Sequence, residues 1–381
     1  MSSFTELRLS SYLLKTLYDQ KLTKPYPIQE QAIPAILRKK DVLGIAKTGS
    51  GKTLSYVLPV IMNLEREPIA QSRHINALVL VPTRELAVQV VTVFRELSTL
   101  SPFRVRSLAV HGGVSINPQM KALQNVNILV ATPGRLLELL DTNALHLSSL
   151  SILVLDEADK MLNLGFKKEM DKIFEQLPKR RQNLLFSATL SPDVQNITEI
   201  LLKNPLVINV ESEEDHFDLI NQYAYFVTLE KKGPLLRYLI KHNDMKQVLV
   251  FTSSVYQADL VASKLSNNGI NAKAIHSKKS QGNRTETLKL FKNGKLKVLV
   301  ATDLLSRGID IEFLPHVINY ELPRSPKDYV HRIGRTGRAE NPGEAISLIT
   351  PEEEHHFKII QKKMKKRVNM FVSERIDLKG F

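Results

Sequence analysis

Short, continuous apolar runs recur along the chain, and two pairs of them repeat at nearly the same spacing. The run at 77–83 resembles the run at 247–252, and the run at 128–132 resembles the run at 298–302. Runs this short, rich in β-branched residues and lacking polar alternation, are typical of parallel strands covered on both faces. The repeat indicates two similar domains with mostly parallel sheets, with a coincidence of short strands as the alternative.

Helical patterns lie between these runs, from Arg84 to Leu97 and from Val255 to Asn267, where Asn268-Gly269 is a typical helix stop. Alternating strands and helices predict the α/β class, and 381 residues suffice for two domains. The predicted divisions are a first domain at 1–210, an acidic linker at 211–217, a second domain at 218–368 and a short irregular tail at 369–381.

The composition limits the class of protein. The net charge of +14 suggests a polyanionic partner. There are no cysteines, which excludes disulfides, thiolate metal sites and thiol catalysis and fits a reducing compartment. No apolar stretch approaches the roughly 18 residues of a membrane span, and the first residues lack the pattern of a signal peptide. We therefore expect a cytoplasmic protein without a membrane partner.

A glycine-containing loop at 46–53 lies between an apolar run and an amphipathic stretch. Its small residues allow backbone N–H groups to surround phosphate oxygens at a helix N-terminus. Lys52 is placed to reach the terminal phosphates, and the Thr53 hydroxyl to bind Mg²⁺. Ala46 stands where this pattern usually has its first glycine. The residues predicted to contact the nucleotide are Ala46, Lys47, Thr48, Gly49, Ser50, Gly51, Lys52 and Thr53.

Two acidic residues complete a phosphoryl-transfer site. Asp156 and Glu157 follow the apolar run at 152–155. Asp156 is predicted to bind Mg²⁺, directly or through water, and Glu157 to polarise the attacking water. The alternative is a glycine-rich turn and a solvated acidic helix start. The second half lacks a phosphate loop, so we expect its polar strand ends to complete the site of the first half.

Short motifs continue from Phe4 to about Thr350. They are Pro82–Leu86, Gly112-Gly113, Thr132–Arg135, Asp156–Asp159, Ser187–Thr189, Val250–Thr252, Ala301–Asp303, Arg307–Asp310 and His331–Arg338. In this order the series resembles the DEAD-box RNA helicases of superfamily two, and its compact length resembles the bacterial RhlE-type subgroup. The resemblance implies two tandem RecA-like (P-loop NTPase) domains. It also implies RNA-dependent ATP hydrolysis with Mg²⁺, RNA as the partner, and a monomer.

The segment at 4–29 resembles the family's adenine-reading region. A glutamine amide both donates and accepts, so Gln29 can pair with adenine, although Gln29 alone would be interpreted as a surface amide. The resemblance implies that Phe4 stacks on the base. Tyr26 stands where threonine is common, which places one hydrogen bond to the phosphate loop in question, and Lys21 stands where glycine is common.

The resemblance also assigns roles to the second half. Arg335 and Arg338 are implied to be arginine fingers that reach the γ-phosphate across a cleft, and Asp310 is implied to bind the ribose. Arginine suits this role because its planar fork makes two contacts with phosphate oxygens. Simple surface basicity is the alternative.

Coupling between ATP and RNA is assigned to a further set. Ser187 and Thr189 are implied to hydrogen-bond with Asp159 and His331. From the residues alone, a plain turn at the end of a strand is the alternative.

RNA contacts are expected from hydroxyls, backbone N–H groups and arginines in loops at strand ends. The set is Arg84, Gly113, Thr132, Arg135, Thr252, Gln281, Arg284, Thr302 and Asp303. Such groups bind phosphates and sugars rather than base edges. Binding should therefore be largely independent of sequence and weakened by salt, with 2′-hydroxyl contacts favouring RNA. Ser277 replaces a glycine that is usual after the histidine here, so the conformation of that loop stays open.

Two other functions share these residues. One is an ATP-gated clamp that anchors other factors on RNA without useful unwinding, and the other is a DNA translocase. The favoured interpretation is an ATP-dependent RNA helicase that locally unwinds short duplexes or remodels RNA–protein complexes.

Overall fold

The computed structural model describes residues 3–46, 49–65, 72–210, 220–303, 314–337 and 343–381. The chain divides into two compact units, Met1–Ser212 and Glu213–Phe381, called unit 1 and unit 2 below. Each unit contains a seven-stranded sheet in which every strand pair is parallel. The predicted fold class, two tandem RecA-like α/β domains, is therefore confirmed. The expected linker at 211–217 lies outside the described residues.

The sheet of unit 1 has the strand order β3-β4-β2-β5-β6-β1-β7. Its strands are β1 Val42–Ile45, β2 Ala77–Leu80, β3 Ser107–Val110, β4 Ile128–Ala131, β5 Ile152–Leu155, β6 Gln182–Ser187 and β7 Leu206–Asn209. Alternate side chains of β2 enter different cores, with Val79 on one face and Leu78 on the other. Both faces are thus covered, as the continuous apolar runs predict.

Helices surround this sheet, preceded by a 3-10 turn at Phe4–Leu7. They are α1 Ser11–Asp19, α2 Pro27–Leu37, α3 Lys52–Leu64, α4 Arg84–Leu97, α5 Ile116–Ala122, α6 Pro133–Asp141, α7 Ala158–Asn163, α8 Lys167–Glu175 and α9 Pro192–Leu201. Side-chain caps fix two of the starts, because Thr83 accepts from the Leu86 N–H and Ser191 accepts from the Val194 N–H. Among the described residues, we find no helix with the length and hydropathy of a membrane span.

The sheet of unit 2 has the order β10-β11-β9-β12-β13-β8-β14. This is the strand order of unit 1 with seven added to each strand number. Its strands are β8 Ile220–Phe226, β9 Val248–Thr252, β10 Ala272–Ile275, β11 Val298–Thr302, β12 His316–Asn319, β13 Gly343–Ile349 and β14 Asn369–Val372. The shared topology is what the repeated runs predict of a duplicated domain.

The described helices of unit 2 are α10 Lys232–His242, α11 Val255–Asn267, α12 Gln281–Lys292, α13 Pro326–Ile333 and α14 Glu354–Met364. Short 3-10 turns occupy Leu229–Lys231, Pro351–Glu353 and Ser373–Arg375. The helix at 255–267 has the predicted bounds. After Thr350 the chain makes the 3-10 turn at Pro351–Glu353 and then enters α14.

The prediction of an irregular tail at 369–381 is wrong for Asn369–Val372, which form strand β14. Strand β14 pairs in parallel with β8, with Asn369 opposite Tyr223. Phe371 stacks on Tyr225 with 5.4 Å between ring centroids. The strand is short and its side chains are exposed, so it lacks the buried apolar pattern of the other strands. Its structure depends on the neighbouring strand rather than on its own sequence.

Candidate functional site

The phosphate loop connects the end of β1 to the start of α3. Gly49 and Gly51 have φ angles of 83° and 84°, in the left-handed region that favours glycine. A β-carbon on Gly51 would also lie 2.4 Å from Nε2 of Gln29. Ala46 does not adopt this backbone region, so a β-carbon is tolerated where the usual pattern has glycine. Lys47 and Thr48 lie outside the described residues.

Lys52 is the first residue of α3, and its side chain is buried. Its Nζ donates a hydrogen bond to the carbonyl oxygen of Ala46 at 2.6 Å. The ammonium group is therefore held within the loop whose N–H groups are predicted to bind phosphate. Ser50 and Thr53 belong to the same loop and helix start, as the sequence requires.

Gln29 links the start of α2 to this loop. Its Oε1 accepts from the Tyr26 N–H at 2.9 Å, and its Nε2 donates to the Gly51 carbonyl at 3.0 Å. The side chain is fully buried, and Phe4 is buried in the same core. Each end of the amide retains one further hydrogen-bonding capacity. Adenine pairing by Gln29 and base stacking by Phe4 stay predictions.

Asp156 and Glu157 lie directly after β5 and are 3% and 8% exposed. Burial raises the pKa of both carboxyl groups; the positive charge of Lys52 opposes this at Asp156, and that of Lys160 opposes it at Glu157. Glu157 has a φ angle of 54°, a left-handed conformation that is uncommon for a non-glycine residue. Strained backbone of this kind clusters at functional sites.

Each of these carboxylates has an unsatisfied oxygen. Oδ1 of Asp156 and Oε2 of Glu157 are buried and find no hydrogen-bond partner among the described residues. Buried polar atoms normally have a partner, and carboxylate, hydroxyl and phosphate oxygens are the ligands that Mg²⁺ prefers. The donor set of Asp156 and Thr53 therefore fits a magnesium ion bound together with a nucleotide.

Two residues that the sequence interpretation missed contact these carboxylates. The Tyr56 hydroxyl donates to Oδ2 of Asp156 at 2.8 Å, and Nζ of Lys160 lies 2.5 Å from Oε1 of Glu157. The only sequence signal was helical spacing, since Tyr56 follows Thr53 by three positions and Lys160 follows Glu157 by three.

Three of the four residues assigned to coupling, Ser187, Thr189 and Asp159, are linked by hydrogen bonds in unit 1. The Thr189 hydroxyl donates to Oδ2 of Asp159 at 2.9 Å. The Ser187 hydroxyl instead donates to the Thr189 carbonyl at 2.8 Å. His331 belongs to α13 of unit 2, and its part in coupling stays a prediction.

The predicted RNA residues of unit 1 form one loop cluster. Arg84 begins α4 and lies against Gly113, where a β-carbon would be 1.9 Å from Nη1 of Arg84. Arg135 is buried, and its Nη2 donates to the Val114 carbonyl at 2.9 Å. Arg135 thus supports the loop that carries Gly113 rather than presenting an open guanidinium. Thr132 is the N-cap residue of α6.

Unit 2 contains a buried arginine that the sequence interpretation did not single out. Arg332 makes two hydrogen bonds to Asp303, from Nε to Oδ1 at 2.5 Å and from Nη2 to Oδ2 at 2.8 Å. It also donates to Oδ1 of Asn319 at 3.1 Å and lies over the Phe251 ring. Asp303, predicted to contact RNA, therefore holds this arginine in the structure.

The other predicted residues of unit 2 differ in exposure. Thr252, Thr302, Arg284 and Arg335 are buried, whereas Gln281 is partly exposed at the first position of α12. Asp310 and Arg338 lie outside the described residues. The finger role of Arg335 and the RNA contacts of this set stay predictions.

Comparison with known proteins adds independent findings. The family model described as DEAD/DEAH box helicase matches residues 26–197, and the helicase conserved C-terminal domain matches residues 230–340. An ATP-dependent RNA helicase CshA of Limosilactobacillus reuteri is 39% identical over 360 residues, which cover 94% of this chain and 71% of the relative. The DEAD-box ATP-dependent RNA helicase RhpA of Helicobacter pylori is 37% identical over 370 residues, covering 97% and 74%.

A solved structure is also similar. Dbp5 of S. cerevisiae bound to RNA and ADP BeF3 matches with a TM-score of 0.85 and 29% identity. The match covers 99% of this chain and 97% of Dbp5. The RhlE-type subgroup suggested by the sequence stays a prediction, since these relatives carry other names.

Proposed function

Since this chain belongs to the DEAD-box ATP-dependent RNA helicases, we propose that it holds RNA by its backbone and uses ATP hydrolysis to open short duplexes locally or to remodel RNA–protein complexes. The reaction is ATP + H₂O → ADP + phosphate. The observation that supports this most is the pair of unsatisfied, buried carboxylate oxygens of Asp156 and Glu157 in the unit that carries the phosphate loop.

The nucleotide phosphates would bind backbone N–H groups of the loop and the ammonium group of Lys52, which would exchange the Ala46 carbonyl for phosphate oxygens. Thr53 and Asp156 would hold Mg²⁺, which when bound neutralises charge on the phosphate oxygens. Glu157 would orient the attacking water and accept its proton. Gln29 and Phe4 would select adenine.

RNA would bind the loops at strand ends in each unit. Arg84, which lies against Gly113, and the Gly113 N–H would contact phosphates, while Arg135 would keep their loop in position. Contacts of this kind read no base edges. Binding should be independent of sequence and should weaken as salt concentration rises. The similarity to Dbp5 bound to RNA and ADP BeF3 supports this assignment.

Hydrolysis would require both units. Arg335 and Arg338 would stabilise the γ-phosphate as it departs, Asp310 would bind the ribose, and Ser187, Thr189, Asp159 and His331 would transmit the state of the nucleotide. If ATP and RNA favour the same conformation, each tightens the binding of the other. We further propose that the protein acts as a monomer in the cytoplasm.

Strand displacement tests this function. A short RNA duplex with a labelled strand is mixed with the protein, with and without ATP. Release of the labelled strand that requires ATP is the expected result. Tight RNA binding with ATP but no release would instead indicate a clamp. Equal stimulation of ATP hydrolysis by RNA and by DNA of the same sequence would favour a DNA translocase.

A further inference from the structure

Tyr56 lies on α3, one helical turn after Thr53, with its side chain fully buried. Its hydroxyl donates to Oδ2 of Asp156 at 2.8 Å. The phenol therefore contacts one of the two side chains to which we assign the magnesium ion. These residues are brought together by the packing of α3 against the sheet, since Asp156 is distant in sequence.

We propose that the Tyr56 hydroxyl is a positioning group for the metal–nucleotide site, holding Asp156 in the orientation that binds Mg²⁺. This inference rests on the proposed function, in which Asp156 and Thr53 hold the metal. Tyr56 acts through Asp156 and does not itself contact the nucleotide or the reacting atoms.

The contacts of Asp156 carry the inference. A carboxylate can rotate about its Cβ–Cγ bond, and a hydrogen bond to one oxygen fixes that rotation. The Tyr56 hydroxyl donates to Oδ2 of Asp156, whereas Oδ1 is buried and has no hydrogen-bond partner among the described residues. Groups that hydrogen-bond to metal ligands orient them, and losing such a group typically lowers metal affinity about 10- to 100-fold.

Packing keeps the phenol itself in place. Its ring lies against Phe186 of β6 with 5.4 Å between ring centroids. A phenylalanine would fill the same space, so packing alone does not require the hydroxyl. A buried tyrosine hydroxyl needs a hydrogen-bond partner, and here that partner is Asp156.

The test compares Tyr56→Phe with a matched control, Tyr329→Phe. Tyr329 is also fully buried, and its hydroxyl hydrogen-bonds with the Ser347 hydroxyl at 3.1 Å in unit 2. Both variants delete one buried phenolic oxygen, but only Tyr56→Phe removes a contact to Asp156. Thermal melts recorded in EDTA establish that each variant is folded before the titrations.

The readout is binding of fluorescent mant-ADP as Mg²⁺ is titrated. For Tyr56→Phe we expect the Mg²⁺ concentration at half-maximal tightening to rise about tenfold, with unchanged mant-ADP affinity in EDTA. Tyr329→Phe should leave both quantities at the wild-type values. A purely structural role for Tyr56 would lower the melting temperature without moving the Mg²⁺ midpoint.

A wild-type Mg²⁺ midpoint in folded Tyr56→Phe would overturn the inference. So would an equal shift in Tyr329→Phe, because that shift would follow from loss of stability alone. The proposed function is tested separately by the wild type and by Asp156→Ala. If Mg²⁺ does not tighten mant-ADP binding to the wild type, or still does so in Asp156→Ala, the metal assignment fails rather than the role of Tyr56 alone.

Discussion

The Thr189 hydroxyl donates a hydrogen bond to the Asp159 carboxylate, with 2.9 Å between Oγ1 and Oδ2. Asp159 lies in the first turn of α7, two residues after the predicted water-activating Glu157, and Thr189 lies in the loop after β6. The bond therefore joins the loops that follow two neighbouring strands.

Thr189→Val should separate hydrolysis from unwinding. Loss of a hydrogen bond to a charged group costs about 1.5–3 kcal/mol, so we expect strand displacement to fall about tenfold or more. RNA-stimulated hydrolysis should fall less. The matched control is Thr198→Val, since the Thr198 hydroxyl donates to the Val194 carbonyl within α9, away from Asp159. Equal losses in both assays would contradict a coupling role.

Glu157→Gln should abolish turnover while nucleotide binding persists. The amide keeps the shape of the side chain but cannot accept the proton of the attacking water. We expect the turnover number to fall at least about 100-fold, with mant-ADP affinity close to the wild type. Steady-state ATPase and fluorescence titration measure the two quantities. A variant that hydrolyses ATP at the wild-type rate would remove Glu157 from the mechanism.

Gly51→Ala should abolish nucleotide binding. The residue has a left-handed backbone, and a β-carbon would lie 2.4 Å from Nε2 of Gln29. The control is Gly165→Ala, where φ is 85° but, apart from its chain neighbours, no atom of the described residues lies within 4 Å of the added carbon. Both variants pay about 1–2 kcal/mol of backbone strain. Only Gly51→Ala should lose mant-ADP binding, and equal losses would mean that strain, not the clash, is responsible.

Arg332→Ala should destabilise unit 2 strongly. It would remove both hydrogen bonds that Arg332 donates to the Asp303 carboxylate and the buried cation over the Phe251 ring. Breaking a fully buried ion pair costs about 3–5 kcal/mol, and we expect a smaller loss here because the Asp303 side chain is 30% exposed. Arg332→Lys keeps the positive charge but cannot make two parallel hydrogen bonds to Asp303. Its free energy of unfolding should therefore fall less than that of Arg332→Ala. Urea unfolding measures both, and equal stability of all three proteins would contradict the structural role.

Asp259 gives a prediction for pH. Burial favours a higher pKa for this carboxyl, but hydrogen bonds from Lys279 and His276 outweigh it, so the pKa is lowered. A lowered pKa in the folded state adds stability above the unfolded pKa of about 3.9, and that stability disappears as pH falls through the folded value. Asp259 is nearly half exposed, so its contribution should be at most about 1 kcal/mol.

The wild type should therefore melt slightly above Asp259→Asn at neutral pH. The difference should persist to about pH 5, shrink as pH falls below the unfolded pKa of about 3.9, and vanish below the still lower folded pKa. Melting curves of both proteins across this range check the prediction. A difference that grows as the solution is acidified would have the wrong sign.

Much of the fold is predictable because it is local. The bounds of α4 and α11 follow from helical periodicity and caps, and the buried strands follow from continuous apolar runs. The phosphate loop is equally readable, since its glycines and Lys52 are adjacent in sequence. Strand β14 could not be predicted, because its conformation depends on pairing with β8.

The contacts around the site could not be predicted from the sequence, because they too depend on residues that are distant along the chain. Tyr56 meets Asp156, and Arg332 meets Asp303, only after helices pack onto the sheets. Helical spacing relates Tyr56 to Thr53, but no spacing in the sequence indicates that Tyr56 meets Asp156 or that Arg332 meets Asp303. The buried setting of Arg135, which makes it a support for a loop, likewise depends on the position of Val114.

We infer that ATP hydrolysis requires both RNA and an arginine from the second unit. The most direct measurement is the steady-state ATPase rate of the intact chain, with and without RNA, beside that of Arg335→Ala. RNA should accelerate the wild type, and the variant should lose about 10³-fold of the stimulated rate. A wild-type rate that RNA does not change, or a variant as fast as the wild type, would contradict the account.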